Sequence, residues 1–99
     1  MRFDGFEWDA GNWPKCGKHG VSRDEIEDVF YQPSFRVFPD PAHSLIEQRW
    51  LGIGRASETG RWVFLVFTAR SSDRLTHVRP VSARYMHDKE IEKYVRQTS

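Results

Sequence analysis

Cysteine is all but missing from this chain: Cys16 stands alone, so no internal disulfide can form. There is no apolar run long enough to read as a membrane span and no signal-peptide pattern. The expectation is therefore a soluble, cytoplasmic protein with no membrane partner. Repeats and low-complexity tracts are lacking as well, and 99 residues fit a single domain spanning 1–99 with a modest core. Cys16 and His19 form a C-x-x-H, half of a zinc site. The remaining histidines, His43, His77 and His87, are scattered, so neither a metal nor another cofactor is expected.

Net charge is also scarce, at +1, but it is unevenly laid out. Met1 to Gln48 carries five Lys/Arg against nine Asp/Glu, whereas Arg49 to Ser99 carries ten against five. Eleven of the fifteen basic residues are arginine, whose planar fork suits phosphate and carboxylate groups. A solvated, arginine-rich surface explains this equally well until motifs are considered.

What the chain does have is a strong helix-start signal next to a cationic corner. Ser22 and Glu25 have the spacing of a capping box, Val21 and Ile26 that of a hydrophobic staple, and Gly20 suits a left-handed turn. Lys18 and His19 are thereby held at a corner before a helix running from Ser22 to about Tyr31, stopped by Pro33. Before it, alternation over Phe3 to Trp8 predicts a first strand. Asn12-Trp13-Pro14 opens a helix that Gly17 and Gly20 limit to about two turns.

After the second helix come strands at Phe35 to Phe38 and about Leu45 to Arg55, with a Pro39-Asp40-Pro41 turn between them. A hairpin follows at Ser57 to Gly60. Trp62 to Phe67 is apolar on both pleat faces and predicts a central strand. A last strand spans about Leu75 to Val81, with Pro80 indicating an edge or a bulge. A terminal helix capped by Ser82 is predicted over about Ala83 to Arg96, with His87, Ile91, Tyr94 and Val95 inward. The fold class is α+β: an antiparallel β-sheet of about five strands, two short N-terminal helices and a C-terminal helix.

Strand alternation puts Glu47 and Arg49 on one face, and Thr68 and Arg70 on another, while Arg79 and Arg84 flank the last strand. If these strands adjoin, the arginines converge with Glu47 beside the Lys18-His19 corner. Such a set suits metal-independent RNA cleavage: a base takes the ribose 2′-hydroxyl proton and cations stabilise the charge on phosphorus. Glu47 or His19 could serve as base, and His19 or Lys18 as acid. The plainer alternatives are an exposed Glu47–Arg49 ion pair and a capping or half-buried His19. Trp8, Trp13, Trp50 and Trp62 could stack bases, although a domain this small needs such side chains for packing. His43, in a turn, could contact substrate or only solvent.

Taken in order, Phe6-Glu7-Trp8-Asp9, Lys18-His19-Gly20-Val21-Ser22, Asp40, Glu47-Gln48-Arg49, Ile53-Gly54, Phe67-Thr68-Ala69-Arg70 and Val81-Ser82-Ala83-Arg84 resemble the BrnT family of bacterial toxins. The resemblance covers about Phe6 to Tyr94. It implies a RelE-like fold and a type II toxin–antitoxin ribonuclease that inhibits translation by cutting RNA. It further implies neutralisation by a ribbon-helix-helix antitoxin, with operator DNA bound only through that antitoxin. Carried over residue by residue, the resemblance points to Lys18, His19, Glu47, Arg49, Arg70 and Arg84. The segment Ala10 to Gly17 departs from the longer Lys- and Asn-bearing helix of the family. A catalytically silent RNA- or protein-binding module of the same fold is the alternative.

Overall fold

The computed structural model describes residues 2–43 and 47–99, the side chain of His43 excepted. Ser22 does start a helix: its Oγ accepts from the Glu25 amide at 3.1 Å, and α1 runs over Arg23–Phe30 with Tyr31 as its C-cap. Gly20 sits at φ +91°, the left-handed corner expected of it. Val21 and Ile26 are both buried, as a staple requires. Glu25 does not reach back to the cap. Its carboxylate instead accepts from Tyr85 Oη and, at 2.6 Å, from Thr59 Oγ1.

Five strands form one sheet: β1 (Gly5–Phe6), β2 (Arg36–Pro39), β3 (Trp50–Arg55), β4 (Trp62–Ser72) and β5 (Leu75–Tyr85), in the order β1-β5-β4-β3-β2. The pairs from β2 to β5 are antiparallel and β4 is central, as expected. The sheet is nonetheless mixed rather than antiparallel, because β1 runs parallel to β5, with Gly5 opposite His77 and Phe6 opposite Val78. Short links force neighbours to alternate direction. Between β1 and β5 lies almost the whole chain, so no such constraint applies.

The second correction concerns the helices. In place of the first of two N-terminal helices there is only a 3-10 turn, Lys15–Gly17. The Trp13 ring lies where a Cβ on Gly17 would stand, so this segment is packed as a turn around the indole. The C-terminal helix, α2, covers Asp88–Thr98 and is entered through His87, not Ser82. Strand β5 occupies the intervening residues up to Tyr85. Its pairing with β4 skips Val81, with Val66 opposite Ser82 and Phe67 opposite Pro80. This is the bulge that Pro80 announced, on an interior strand rather than an edge.

One face of the sheet carries Val63, Leu65, Phe67, Val78 and Ala83, all buried beneath Ile26, Val29 and Phe30 of α1. Gly54 of β3 allows α1 to come close, since a Cβ there would stand 2.7 Å from Val29 Cγ1, and Gly52 makes room for the Phe35 ring, 2.8 Å from where its Cβ would stand. Trp8, Trp13 and Trp50 pack against this core. The opposite face is covered only in part. Helix α2 has no fully buried residue and rests on it through Tyr94, whose ring meets Phe38 and Trp62 at centroid distances of 6.2 and 5.8 Å. Of the expected inner stripe, Ile91 and Tyr94 are half-buried and His87 and Val95 are exposed. The expected start of the third strand at Leu45 lies outside the described residues. Among the described residues no helix is long and apolar enough to cross a membrane.

Candidate functional site

Register alone maps the face left open by α2. Along β4 and β5 the side chains that share it are Phe64 opposite Arg84, Val66 opposite Ser82, Thr68 opposite Arg79, and Arg70 opposite His77. The alternation expected for Thr68 and Arg70 is present, and β5 brings Arg79 and Arg84 alongside. Glu47 and Arg49 precede β3, so strand pleating does not align them. Glu47 still arrives at the site, because its Oε2 lies 3.4 Å from Arg70 Nε.

The arginines do not converge bare. Arg70 Nη1 donates to Glu7 Oε1 at 3.0 Å, and Arg79 Nη1 donates to the same oxygen at 2.9 Å. Arg79 also makes a two-pronged contact with Asp9, at 2.8 and 2.9 Å. That guanidinium, with the Gly11 amide, holds the Asp9 carboxyl below its usual range, while Asp9 in turn raises Arg79. The result is one chain of charges, Glu47–Arg70–Glu7–Arg79–Asp9, carrying three carboxylates and two guanidiniums. Arg79 is only 13 % exposed and serves as its inner post, whereas Arg70 is 49 % exposed and Glu47 44 %. Beneath it Thr68 Oγ1 is buried and has no hydrogen-bond partner among the described residues.

Further along the same face, Arg84 makes a bidentate pair with Glu90 of α2, both contacts 2.8 Å, and stacks 4.7 Å from the Phe64 ring centroid. Arg84 and the His87 amide together lower the Glu90 carboxyl to about 2. Between the two arginine anchors lies a cavity of about 350 Å³. Leu51, Phe64 and Val66 form its floor, and Asp40, Arg49 and Ser82 its polar rim. A larger cavity, of about 430 Å³, lies beside α1, but Asp24, Glu25, Asp28 and Glu58 line it and would repel a polyanion.

Lys18 and His19 are exposed on the loop after the 3-10 turn, which packs against β5. Neither forms a hydrogen bond or ion pair with Glu47, Arg70, Arg79 or Arg84 among the described residues. Cys16, just before them, is fully buried, and desolvation pushes its thiol up to about 11. No group of three or more potential metal ligands occurs among the described residues. Sequence reasoning missed Glu7, Asp9, Asn12 and Glu90. Glu7 did carry one signal, since it is the polar position between Phe6 and Trp8 and so faces away from the core.

Two comparisons bear on this site. A sequence model of the family described as "Ribonuclease toxin, BrnT, of type II toxin-antitoxin system" matches residues 8–90, and so takes in Asp9 and every arginine of the open face. No curated protein matches the chain.

Proposed function

The chain belongs to the BrnT family of type II toxin–antitoxin ribonuclease toxins, and from that premise we propose that its open sheet face cuts RNA without a metal ion and so inhibits translation. The observation that carries this reading is the apolar floor of Leu51, Phe64 and Val66 set between two arginine anchors. A nucleobase can lie on such a floor while the flanking phosphates meet Arg70 and Arg84.

In this reading Glu47 takes the proton from the ribose 2′-hydroxyl and the oxygen attacks the adjacent phosphorus. The products are a 2′,3′-cyclic phosphate and a 5′-hydroxyl. Arg70 exchanges Glu47 for the phosphate, which frees the carboxylate to act as base. Exposed ion pairs are worth about 0–1 kcal/mol, so the exchange costs little. Arg84 stabilises the other end of the strand, Arg49 borders the base, and Lys18 and His19 contact the backbone beside β5. Arg79 holds Glu7 and Asp9 in place. A type II system implies an antitoxin that masks this face; we assign it to the ribbon-helix-helix class, with operator DNA contacted only through it, in the cytoplasm.

The test is cleavage of synthetic single-stranded RNA by the purified protein in excess EDTA. Glu47→Gln and Arg70→Ala are each expected to lower the rate by about 10²-fold or more. Cleavage that stops with EDTA, or that both variants retain in full, overturns the proposal. One observation favours a second reading, a catalytically silent binding module: Arg70, Arg79 and Arg84 are all paired with carboxylates. RNA binding without cleavage, and without growth arrest on expression, is its signature.

A further inference from the structure

Cleavage of this kind needs a second proton-transfer group. The attacking and leaving oxygens stand in line across phosphorus, so the base and the acid must flank the phosphate from opposite sides. Glu47 approaches Arg70 from the segment leading into β3. An acid is therefore wanted on the other flank of Arg70, which is β5.

We propose that His77 is that acid, the catalytic group that protonates the 5′-oxygen as it leaves; the assignment rests on the ribonuclease reading above. His77 lies directly opposite Arg70 on β5, on the same sheet face, so the two Cβ atoms stand about 5 Å apart. Glu47, from the segment leading into β3, and His77, from β5, thus bracket Arg70 on its two sides. On its other side His77 is register-paired with Gly5, where a Cβ would meet the ring Cδ2 at 3.3 Å. Glycine leaves the imidazole its space there. The ring is half-buried, and among the described residues neither of its nitrogens has a hydrogen-bond partner.

The charged groups around it are Arg70 from β4, Arg79 two residues on in β5, and Asp4 and Glu7 from the β1 segment. Asp4 is tied to the Thr76 amide at 2.7 Å, and Glu7 to both arginines. None of them blocks the imidazole by pairing with it. His19 and His87, by contrast, are exposed and have no register neighbour in the network.

The step balances without a co-reactant. The 2′-hydroxyl proton passes to Glu47, the 2′-oxygen–phosphorus bond forms, and the phosphorus–5′-oxygen bond breaks. The His77 imidazolium gives its proton to the departing oxygen. Exchange with water then resets both groups.

The experiment compares the wild-type full chain, His77→Gln, and His87→Gln on two RNAs of identical sequence. One has an ordinary scissile phosphate; the other has sulfur in place of the bridging 5′-oxygen, a leaving group that needs no proton. His77→Gln is expected to lose about 10²-fold or more on the ordinary RNA and to recover to near the wild-type rate on the thiolate. His87→Gln should match wild type on both. Equal losses on the two substrates, or no loss on either, overturn the assignment. Failure of the wild type to cleave either RNA overturns the ribonuclease reading instead. The His77 ring resonances then decide the placement on addition of 2′-O-methyl RNA: a shift supports His77 beside a phosphate, and no shift overturns it.

Discussion

Asn12 shows how much of the site depends on a residue that does no chemistry. It is 3 % exposed, its Nδ2 donates to the carbonyls of Glu7 and Pro80 at 2.9 Å each, and its Oδ1 accepts the Asp9 amide at 2.8 Å. It therefore fixes the backbone that delivers Glu7 and Asp9 to the arginines. Asn12→Ala leaves two carbonyls without that donor, at about 1–3 kcal/mol for each group that stays dry. A urea titration should show a lower midpoint at an unchanged slope, and Arg79 should lose its ordered contact with Asp9. An unchanged midpoint would show that water replaces the amide without loss. None of this was legible in Asn12-Trp13-Pro14, which has ordinary turn composition. Alternation likewise marks Glu7 as facing away from the core but cannot name Arg70, which is 63 residues away, as its partner.

Elements whose signals are local were legible, and those set by long-range register were not. The Ser22 cap, the central strand and the Pro80 bulge each rest on a few adjacent residues. The boundary between β5 and α2 does not. Skipping Val81 moves Ala83 and Tyr85 onto the buried face and breaks the period-2 pattern, so the strand's end imitates a helix start. The β4–β5 hairpin was hidden for a different reason: its turn residues, Asp73 and Arg74, have φ of 51° and 69° without glycine or asparagine to signal it. Helix α2 is attached by little beyond Tyr94 and the Arg84–Glu90 pair, which gives it a defined acid sensitivity. A carboxyl lowered on folding contributes stability above its ordinary value of 4.5, and loses it as pH falls through its folded value of about 2. The Trp62–Tyr94 ring contact, followed by nuclear Overhauser effects, should weaken across that window. Glu90→Gln should show the weakened contact already at neutral pH, because it removes the charge Arg84 faces. A contact that survives to about pH 2, with Glu90→Gln indistinguishable from wild type, would mean that packing alone holds α2.

At the scale of the whole molecule the charge asymmetry between the two halves folds back on itself. Glu7 and Asp9 from the acidic half neutralise Arg70 and Arg79 from the basic half, with Glu47 on the outside. The basic half is thus not a bare polyanion-binding surface, and under the proposed function this sets how RNA affinity responds to salt. Single-stranded RNA releases about 0.7 counterion per phosphate neutralised. If Arg70, Arg84 and Lys18 meet one phosphate each, the logarithm of the binding constant should fall with the logarithm of salt at a slope of about −2.1, measured with uncleavable 2′-O-methyl RNA. A slope steeper than about −4 would place the binding energy on other surface cations and displace the open face as the RNA site. Glu7→Gln sharpens the test. It removes the carboxylate shared by Arg70 and Arg79, and so lessens the competition a phosphate must overcome by about 1 kcal/mol. Binding should tighten up to about fivefold with little change in slope, because the same arginines meet the same phosphates. Weaker binding by Glu7→Gln would instead show that the carboxylate chain orders Arg70 for RNA, and that its loss scatters the site.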